Sequence, residues 1–128
     1  MIADHLRRAF RDAEISDVGR QSHTCDVKFT RNSTVVLFES KYKQVIQSDD
    51  VSKFLNDVQA QQFGIKGAVF VSIISDAIPR KGSVHFEVDS ASGRLLLFLG
   101  FASAQEFDIL FPKFATMFIA LCEGYDVE

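Results

Sequence analysis

Asp26, Glu39 and Lys41 are charged residues in or next to two otherwise apolar, strand-like segments. A tight turn centred between Asn32 and Ser33 would join the two segments into a β-hairpin. In that register Asp26 lies directly opposite Glu39, with Cβ atoms about 5 Å apart, where two like charges destabilise a sheet. A cation between the two carboxylates is therefore expected.

Lys41 lies on the same face of the strand as Glu39, because side chains alternate along a strand with a period of two. Two carboxylates and an ammonium group are thereby expected to meet at one strand end. Mg²⁺ typically binds through one or two carboxylates and keeps several water molecules. The three residues therefore indicate a site for Mg²⁺.

The segments around this hairpin show helical and strand-like patterns. Apolar residues at intervals of three and four predict an amphipathic helix over residues 2–14, and a second helix begins at 48–50 and ends before Gly64. The apolar run 67–74 is typical of a central strand covered on both faces. A helix that links the hairpin to this strand would make strand 35–43 and strand 67–74 parallel.

The sequence pattern of the C-terminal part predicts another hairpin and a long helix. Residues 84–88 and 94–101 form the hairpin, and Ser103 has the spacing of a helix cap. The helix covers residues 105–122, with a break or kink expected at Pro112. It is apolar on nearly all sides, so it is either deeply buried or partly in contact with a partner.

The chain has 128 residues, of which 47% are hydrophobic, enough to form one core without metals or disulfides. We therefore expect a single domain over residues 1–128 with an α/β (α+β) fold, a mixed central β-sheet flanked by helices. Charges are spread through the first fourteen residues, and no apolar run approaches the roughly 20 residues of a membrane span. We expect an intracellular protein that is neither secreted nor bound to a membrane.

Asp26, twelve intervening residues and then Glu39-Ser40-Lys41, within these elements, resemble the motif of the PD-(D/E)xK nuclease superfamily. The resemblance covers roughly residues 1–75 and implies a restriction-endonuclease-like, αβββαβ-type core. It also implies a DNA endonuclease that requires Mg²⁺ or Mn²⁺. In that family the aspartate and glutamate hold the metal, the intervening backbone carbonyl adds a ligand, and the lysine positions or deprotonates the attacking water. These roles would fall on Asp26, Glu39, Ser40 and Lys41.

The resemblance also suggests accessory residues. Many members of the family carry a further acidic residue on the first helix, for which Glu14 is the candidate, with Asp12 as the alternative. Some carry a glutamine on the helix after the motif, where Gln59 and Gln62 stand. Solvated polar residues on exposed helices would give the same pattern. The chain departs from the family in having Cys25 where proline or glycine often precedes the aspartate.

A net charge of −3 means that any nucleic-acid contact must depend on local positive charge. The candidates for such contacts are Arg7, Arg8, Arg11, Lys43, Arg80 and Lys81. The resemblance implies a nucleic-acid partner, most simply DNA, and cutting both strands of a duplex would most simply require a homodimer. Two alternatives remain open: a non-catalytic interaction or dimerisation domain on the same fold, and a nuclease module of a larger DNA-processing assembly.

Overall fold

The computed structural model describes residues 2–19, 25–61 and 64–125. The elements of this part of the chain are, in order, α1 (Ile2–Ala9), β1 (Glu14–Asp17), β2 (Val27–Arg31), β3 (Thr34–Lys41), α2 (Ser48–Gln59), β4 (Ile65–Ser72), β5 (Val84–Val88), β6 (Leu95–Gly100) and α3 (Ala104–Glu123). From α1 to β4 the elements follow the expected order of helix, three strands, helix and strand.

The strands of the described residues form one mixed sheet in the order β1-β2-β3-β4-β6-β5. The pairs β1–β2, β2–β3 and β5–β6 are antiparallel. The pairs β3–β4 and β4–β6 are parallel, and the first of these was expected because α2 forms a crossover between β3 and β4. The predicted α/β class, a mixed central sheet flanked by helices, is confirmed.

The two faces of the sheet are covered by different helices. Side chains of β3 alternate, so Val36 and Phe38 pack with α1 and α3, while Leu37 packs with α2. The buried strand β4 contributes side chains to both cores. Glu39, two residues after Leu37, therefore lies on the face that α2 covers.

The hairpin between β2 and β3 has the register predicted from its turn. Asn32 and Ser33 have φ angles of 50° and 70°, the left-handed conformation that a two-residue type I′ turn requires. Lys28 is consequently paired with Leu37, and Val27 with Phe38. The ladder ends at the pair Val27–Phe38, and one further step of the same register would place Asp26 opposite Glu39.

The first helix is shorter than predicted. It ends at Ala9 rather than at residue 14, and residues 14–17 form the edge strand β1 beside β2. Phe10 ends the helical segment by packing edge-on against Phe29, at 5.1 Å between ring centroids. The helical spacing of apolar residues continues past this point, but pairing with β2 gives the backbone of the following residues a better set of partners.

The expected break at Pro112 is wrong, because α3 continues through the proline from Ala104 to Glu123. Thr116 donates a hydrogen bond from Oγ1 to the Pro112 carbonyl oxygen at 2.8 Å. Phe111, Ala115 and Phe118 are buried on the sheet on both sides of the proline, which holds the two halves in one helix. No helix in the described residues, α3 included, is both long enough and apolar enough to cross a membrane.

Candidate active site

Asp26 is held beside the end of β3. Its backbone carbonyl accepts a hydrogen bond from the amide of Val18 at 2.9 Å. Its side-chain Oδ2 accepts hydrogen bonds from the amide of Ser40 at 2.9 Å and from the Ser40 hydroxyl at 3.2 Å. The carboxylate of Asp26 is thereby fixed next to the residue that separates Glu39 from Lys41.

Glu39 is a buried carboxyl group, with 5% of its surface exposed. Burial raises its pKa, and the negative charge of Asp26 raises it further, whereas Lys41 lowers it. The ammonium nitrogen of Lys41 lies 3.3 Å from Oε2 of Glu39. The structure thus brings Asp26, Glu39, Ser40 and Lys41 together, as the sequence predicted.

The backbone groups of Ser40 point to the side of β3 on which the carboxylate of Asp26 lies. The carbonyl of Lys41 accepts a hydrogen bond from the amide of Ile73 at 2.9 Å, so the backbone groups of Lys41 point toward β4. Successive residues of a strand direct their backbone groups to opposite sides. The carbonyl of Ser40 therefore points toward the β2 side, where its amide already binds Asp26.

Asp57 on α2 adds a third carboxylate that the sequence analysis missed. It is buried, and its Oδ2 lies 3.0 Å from the ammonium nitrogen of Lys53 one turn earlier. This hydrogen bond raises the pKa of Lys53 against the opposing effect of burial, and the charge of Glu39 also contributes. The available signal was spacing: Asp57 follows the core residue Phe54 by three positions, which places both on one helix face.

The pKa of the Cys25 thiol is affected by three of these acidic groups. Its thiol is buried, and burial raises its pKa well above the usual range. The charges of Glu39, Asp57 and Asp26 raise it further. Carboxylates from the start of β2, the end of β3 and α2 therefore act on one small region between the sheet and α2.

The accessory acid proposed on the first helix is not near this region. Glu14 lies on the exposed edge strand β1 opposite Thr30, at the end of the pairing remote from Asp26. Asp12 instead contacts the guanidinium of Arg31 at 3.3 Å. The reason is the early end of α1, which moves both residues out of the helix and along the β1–β2 edge.

Of the two glutamines, the structure describes only Gln59, and no contact of Gln59 with the site is seen. Gln59 is exposed at the last position of α2. Gln62 lies outside the described residues. The residue of α2 whose charge acts on Glu39 is instead Lys53, which is paired with Asp57.

The arginines of the first segment lie on the wrong face of the sheet for the site. Arg7 and Arg8 belong to α1, and Arg11 follows it, whereas the Glu39 side chain lies under α2. Arg7 donates to the carbonyl of Ile15 at 3.3 Å.

The other cations predicted to contact nucleic acid lie at two places. Lys43, just beyond β3, is paired with Asp50 at 2.7 Å. Lys81 is paired with Glu87 and covers the Phe98 ring, and exposed Arg80 precedes it in the loop before β5. Of these cations, Lys43 lies nearest to Lys41 along the chain, two residues after the end of β3.

The candidate ligands of the site are oxygen atoms of Asp26, Glu39 and Ser40, which are the type that a hard divalent cation prefers. No group of three or more histidine, cysteine, aspartate or glutamate side chains in the described residues is arranged to hold a metal ion. Two carboxylates and the Ser40 carbonyl nevertheless form a set that Mg²⁺ would complete with water. Asp26 Oδ1 faces Gly19, where a Cβ atom would lie 3.3 Å away, so glycine leaves space beside this oxygen.

A scan against protein-family models and a search of curated proteins both find no match for this chain.

Proposed function

We propose that the protein is a Mg²⁺- or Mn²⁺-dependent nuclease of the PD-(D/E)xK type that hydrolyses phosphodiester bonds, with DNA as the expected substrate. The observation that carries the proposal is the meeting of Asp26, buried Glu39 and Lys41 at the end of β3, with Lys41 at 3.3 Å from Glu39. The order of elements around the site, from α1 to β4, supports it.

Each residue of the site has a role in this reaction. A divalent metal held by Asp26, Glu39 and the Ser40 carbonyl would polarise a phosphoryl oxygen and lower the pKa of a bound water. Lys41 orients the attacking water and offsets the negative charge that develops on the phosphate. Ser40 fixes the carboxylate of Asp26 through two hydrogen bonds, so this one candidate ligand is held in place by the protein itself.

Lys53 and Asp57 extend the charged region toward solvent. Lys53 has 64% of its side chain exposed and is tied to Asp57 on α2. An exposed cation above the carboxylates is suited to contact a phosphate on one side of the scissile bond. Asp57 holds that cation in place rather than contacting the substrate.

The proposal extends to the setting in which the enzyme works. We expect an intracellular protein that acts on nucleic acid, as a homodimer or as a subunit of a larger assembly. The modest local positive charge fits a module whose assembly supplies further nucleic-acid contacts.

The test is a cleavage assay on mixed nucleic-acid substrates at low salt, with Mg²⁺ or Mn²⁺. Wild type is compared with Lys41→Met, which keeps the stem of the side chain but removes the ammonium group. Lys66→Met, at the other end of the sheet on β4, is the matched control for purification and charge. We expect Lys41→Met to lose at least about 100-fold in rate, the scale of a lost transition-state charge contact.

Equal rates for wild type and Lys41→Met would contradict the nuclease proposal. They would favour the second candidate, a non-catalytic interaction domain on the same fold. This second candidate is supported by exposed apolar surface. The exposed residues are Val84, Phe86, Met117 and Leu121. Soluble proteins rarely expose a contiguous apolar patch without an interaction to use it.

A further inference from the structure

The apolar side of strand β5 faces solvent. Its burial pattern alternates, but Val84, Phe86 and Val88 are 55%, 46% and 49% exposed, while the polar residues between them are half-buried. A strand on the edge of a sheet ordinarily shows the opposite arrangement. β5 is such an edge, since its described neighbour in the sheet is β6 alone.

The flank of α3 beside β5 continues this surface. Phe86 contacts Phe118 of α3, at 6.5 Å between ring centroids. Met117 and Leu121, one turn apart on α3, are 68% and 49% exposed. The other flank of α3 is occupied, because Asp108 binds His5 of α1 and Glu123 binds Arg31 of β2. An apolar trough therefore runs between β5 and α3.

The backbone of β5 shows which of its residues could pair with another strand. Asp89 donates to the carbonyl of Arg94, and Gly100 donates to the carbonyl of Ser83. In an antiparallel ladder the residues that bond to one neighbour alternate with those that face away. His85 and Glu87 therefore bond toward β6, and the outward backbone groups belong to Val84, Phe86 and Val88.

The sequence Val84-His85-Phe86-Glu87-Val88 complements itself in an antiparallel pairing centred on Phe86. Val84 faces Val88 of a second copy, and Phe86 faces its own equivalent; these are the residues with outward backbone groups, so about six hydrogen bonds would form. His85 faces Glu87 of the second copy, at a non-hydrogen-bonded position where side chains approach most closely. Glu87 also contacts Lys81 and His85 of its own chain, so the backbone register and the apolar side chains, rather than charge, indicate a second copy as the partner.

We propose that two copies of this chain dimerise by pairing their β5 strands around a two-fold axis at Phe86, which closes the apolar trough with the trough of the partner. The dimer has one continuous sheet. Val84, Phe86 and Val88 of both chains lie between the two α3 helices, with Met117 and Leu121 along the walls. This interface stands whether or not the chain is a nuclease.

Disulfide cross-linking tests the register. Phe86→Cys places two thiols opposite each other, with Cα atoms about 5.5 Å apart, within the range of a disulfide. Val84→Cys is the matched control, since two copies of residue 84 would lie about 14 Å apart. Under mild oxidation we expect Phe86→Cys to form covalent dimers and Val84→Cys to form none. A mixture of Val84→Cys and Val88→Cys should cross-link.

The native thiols do not interfere with this experiment, because Cys25 and Cys122 are both buried. Sedimentation gives a second measurement. Wild type should have the mass of two chains, Phe86→Glu the mass of one, and Val45→Glu, a more exposed apolar position away from β5, the mass of two. A monomeric wild type, or Phe86→Cys that cross-links no faster than Val84→Cys, would overturn the proposal.

Discussion

Glu39 carries its charge at an energetic cost. Burial and the nearby Asp26 both raise its pKa above the ordinary value of about 4.5, in spite of Lys41. A carboxyl group whose pKa is higher in the folded protein stabilises the fold at low pH, and this contribution is lost as pH rises through the folded pKa. The charged site is therefore a source of instability at neutral pH that a bound cation would remove.

We expect Glu39→Gln to unfold less readily than wild type near neutral pH, by roughly 0.2–1 kcal/mol, the scale of opposed like charges on neighbouring strands. The difference should vanish below about pH 4, where Glu39 is protonated in both folded and unfolded chains. Denaturant unfolding at several pH values measures it. Mg²⁺ or Mn²⁺ should stabilise wild type more than the variant.

Two outcomes would contradict this account of Glu39. One is a pair of stability curves that stay parallel from pH 4 to pH 8, because the carboxyl group would then have an ordinary pKa. The other is equal stabilisation of both proteins by the divalent cation. Asp26→Asn is the companion variant, since it removes the other half of the repulsion.

The carboxylate pair could be predicted from the sequence because a two-residue turn fixes a hairpin register. Once Asn32 and Ser33 are assigned to the turn, the position of Asp26 relative to Glu39 follows by counting. Asp57 was harder to predict because it belongs to a helix whose rotation over the sheet depends on tertiary packing. Its place on the face of Phe54 was visible in the sequence, but not which strand that face would cover.

At the scale of elements, α2 is fixed over the site by a residue distant in sequence. Buried Arg94, just before β6, donates hydrogen bonds to the carbonyls of Val58 at 2.6 Å and Gln61 at 2.7 Å. Val58 lies in the last turn of α2 and Gln61 just beyond its end, where a cation is favourable. Arg94 therefore ties the helix that carries Asp57 to the sheet.

Replacing Arg94 with methionine should destabilise the fold by about 3 kcal/mol, since one buried and one partly buried carbonyl group lose a charged donor. Exposed Arg80→Met is the control and should change stability by less than about 0.5 kcal/mol. Chemical denaturation measures both variants. A small loss for Arg94→Met would show that packing of Phe54 and Val58 alone holds α2 in place.

Element boundaries were predicted well where local chemistry decides them and poorly where packing does. The β5–β6 hairpin and the Ser103 cap of α3 appear as predicted, and the Ser103 hydroxyl accepts from the Glu106 amide at 3.1 Å. The end of α1 and the continuity of α3 through Pro112 depend on contacts with β2 and with the sheet. Such tertiary contacts cannot be predicted from a local sequence pattern.

At the scale of the whole molecule, the proposed dimer determines how its two candidate sites relate. From β3 of one chain to β3 of the other, the joined sheet has seven strand-to-strand steps. With spacings of about 4.8 Å the sites lie about 34 Å apart along the sheet. Each step also twists the sheet by about 20–25°, roughly 140–175° in total, and the two-fold axis reverses the direction of the strands. The ends of the two β3 strands therefore point in directions that differ by only about 5–40°.

Two strand ends that point nearly the same way, about 34 Å apart, can contact one straight duplex together. If the substrate is duplex DNA, the two sites of a dimer should therefore cut both strands in one encounter, and a supercoiled plasmid should become linear with little nicked circle. A gel time course measures the two products, and monomeric Phe86→Glu should instead give the nicked circle first. Nicked circle that accumulates equally with wild type and Phe86→Glu would mean that the two sites act independently, which would contradict this arrangement of the strands.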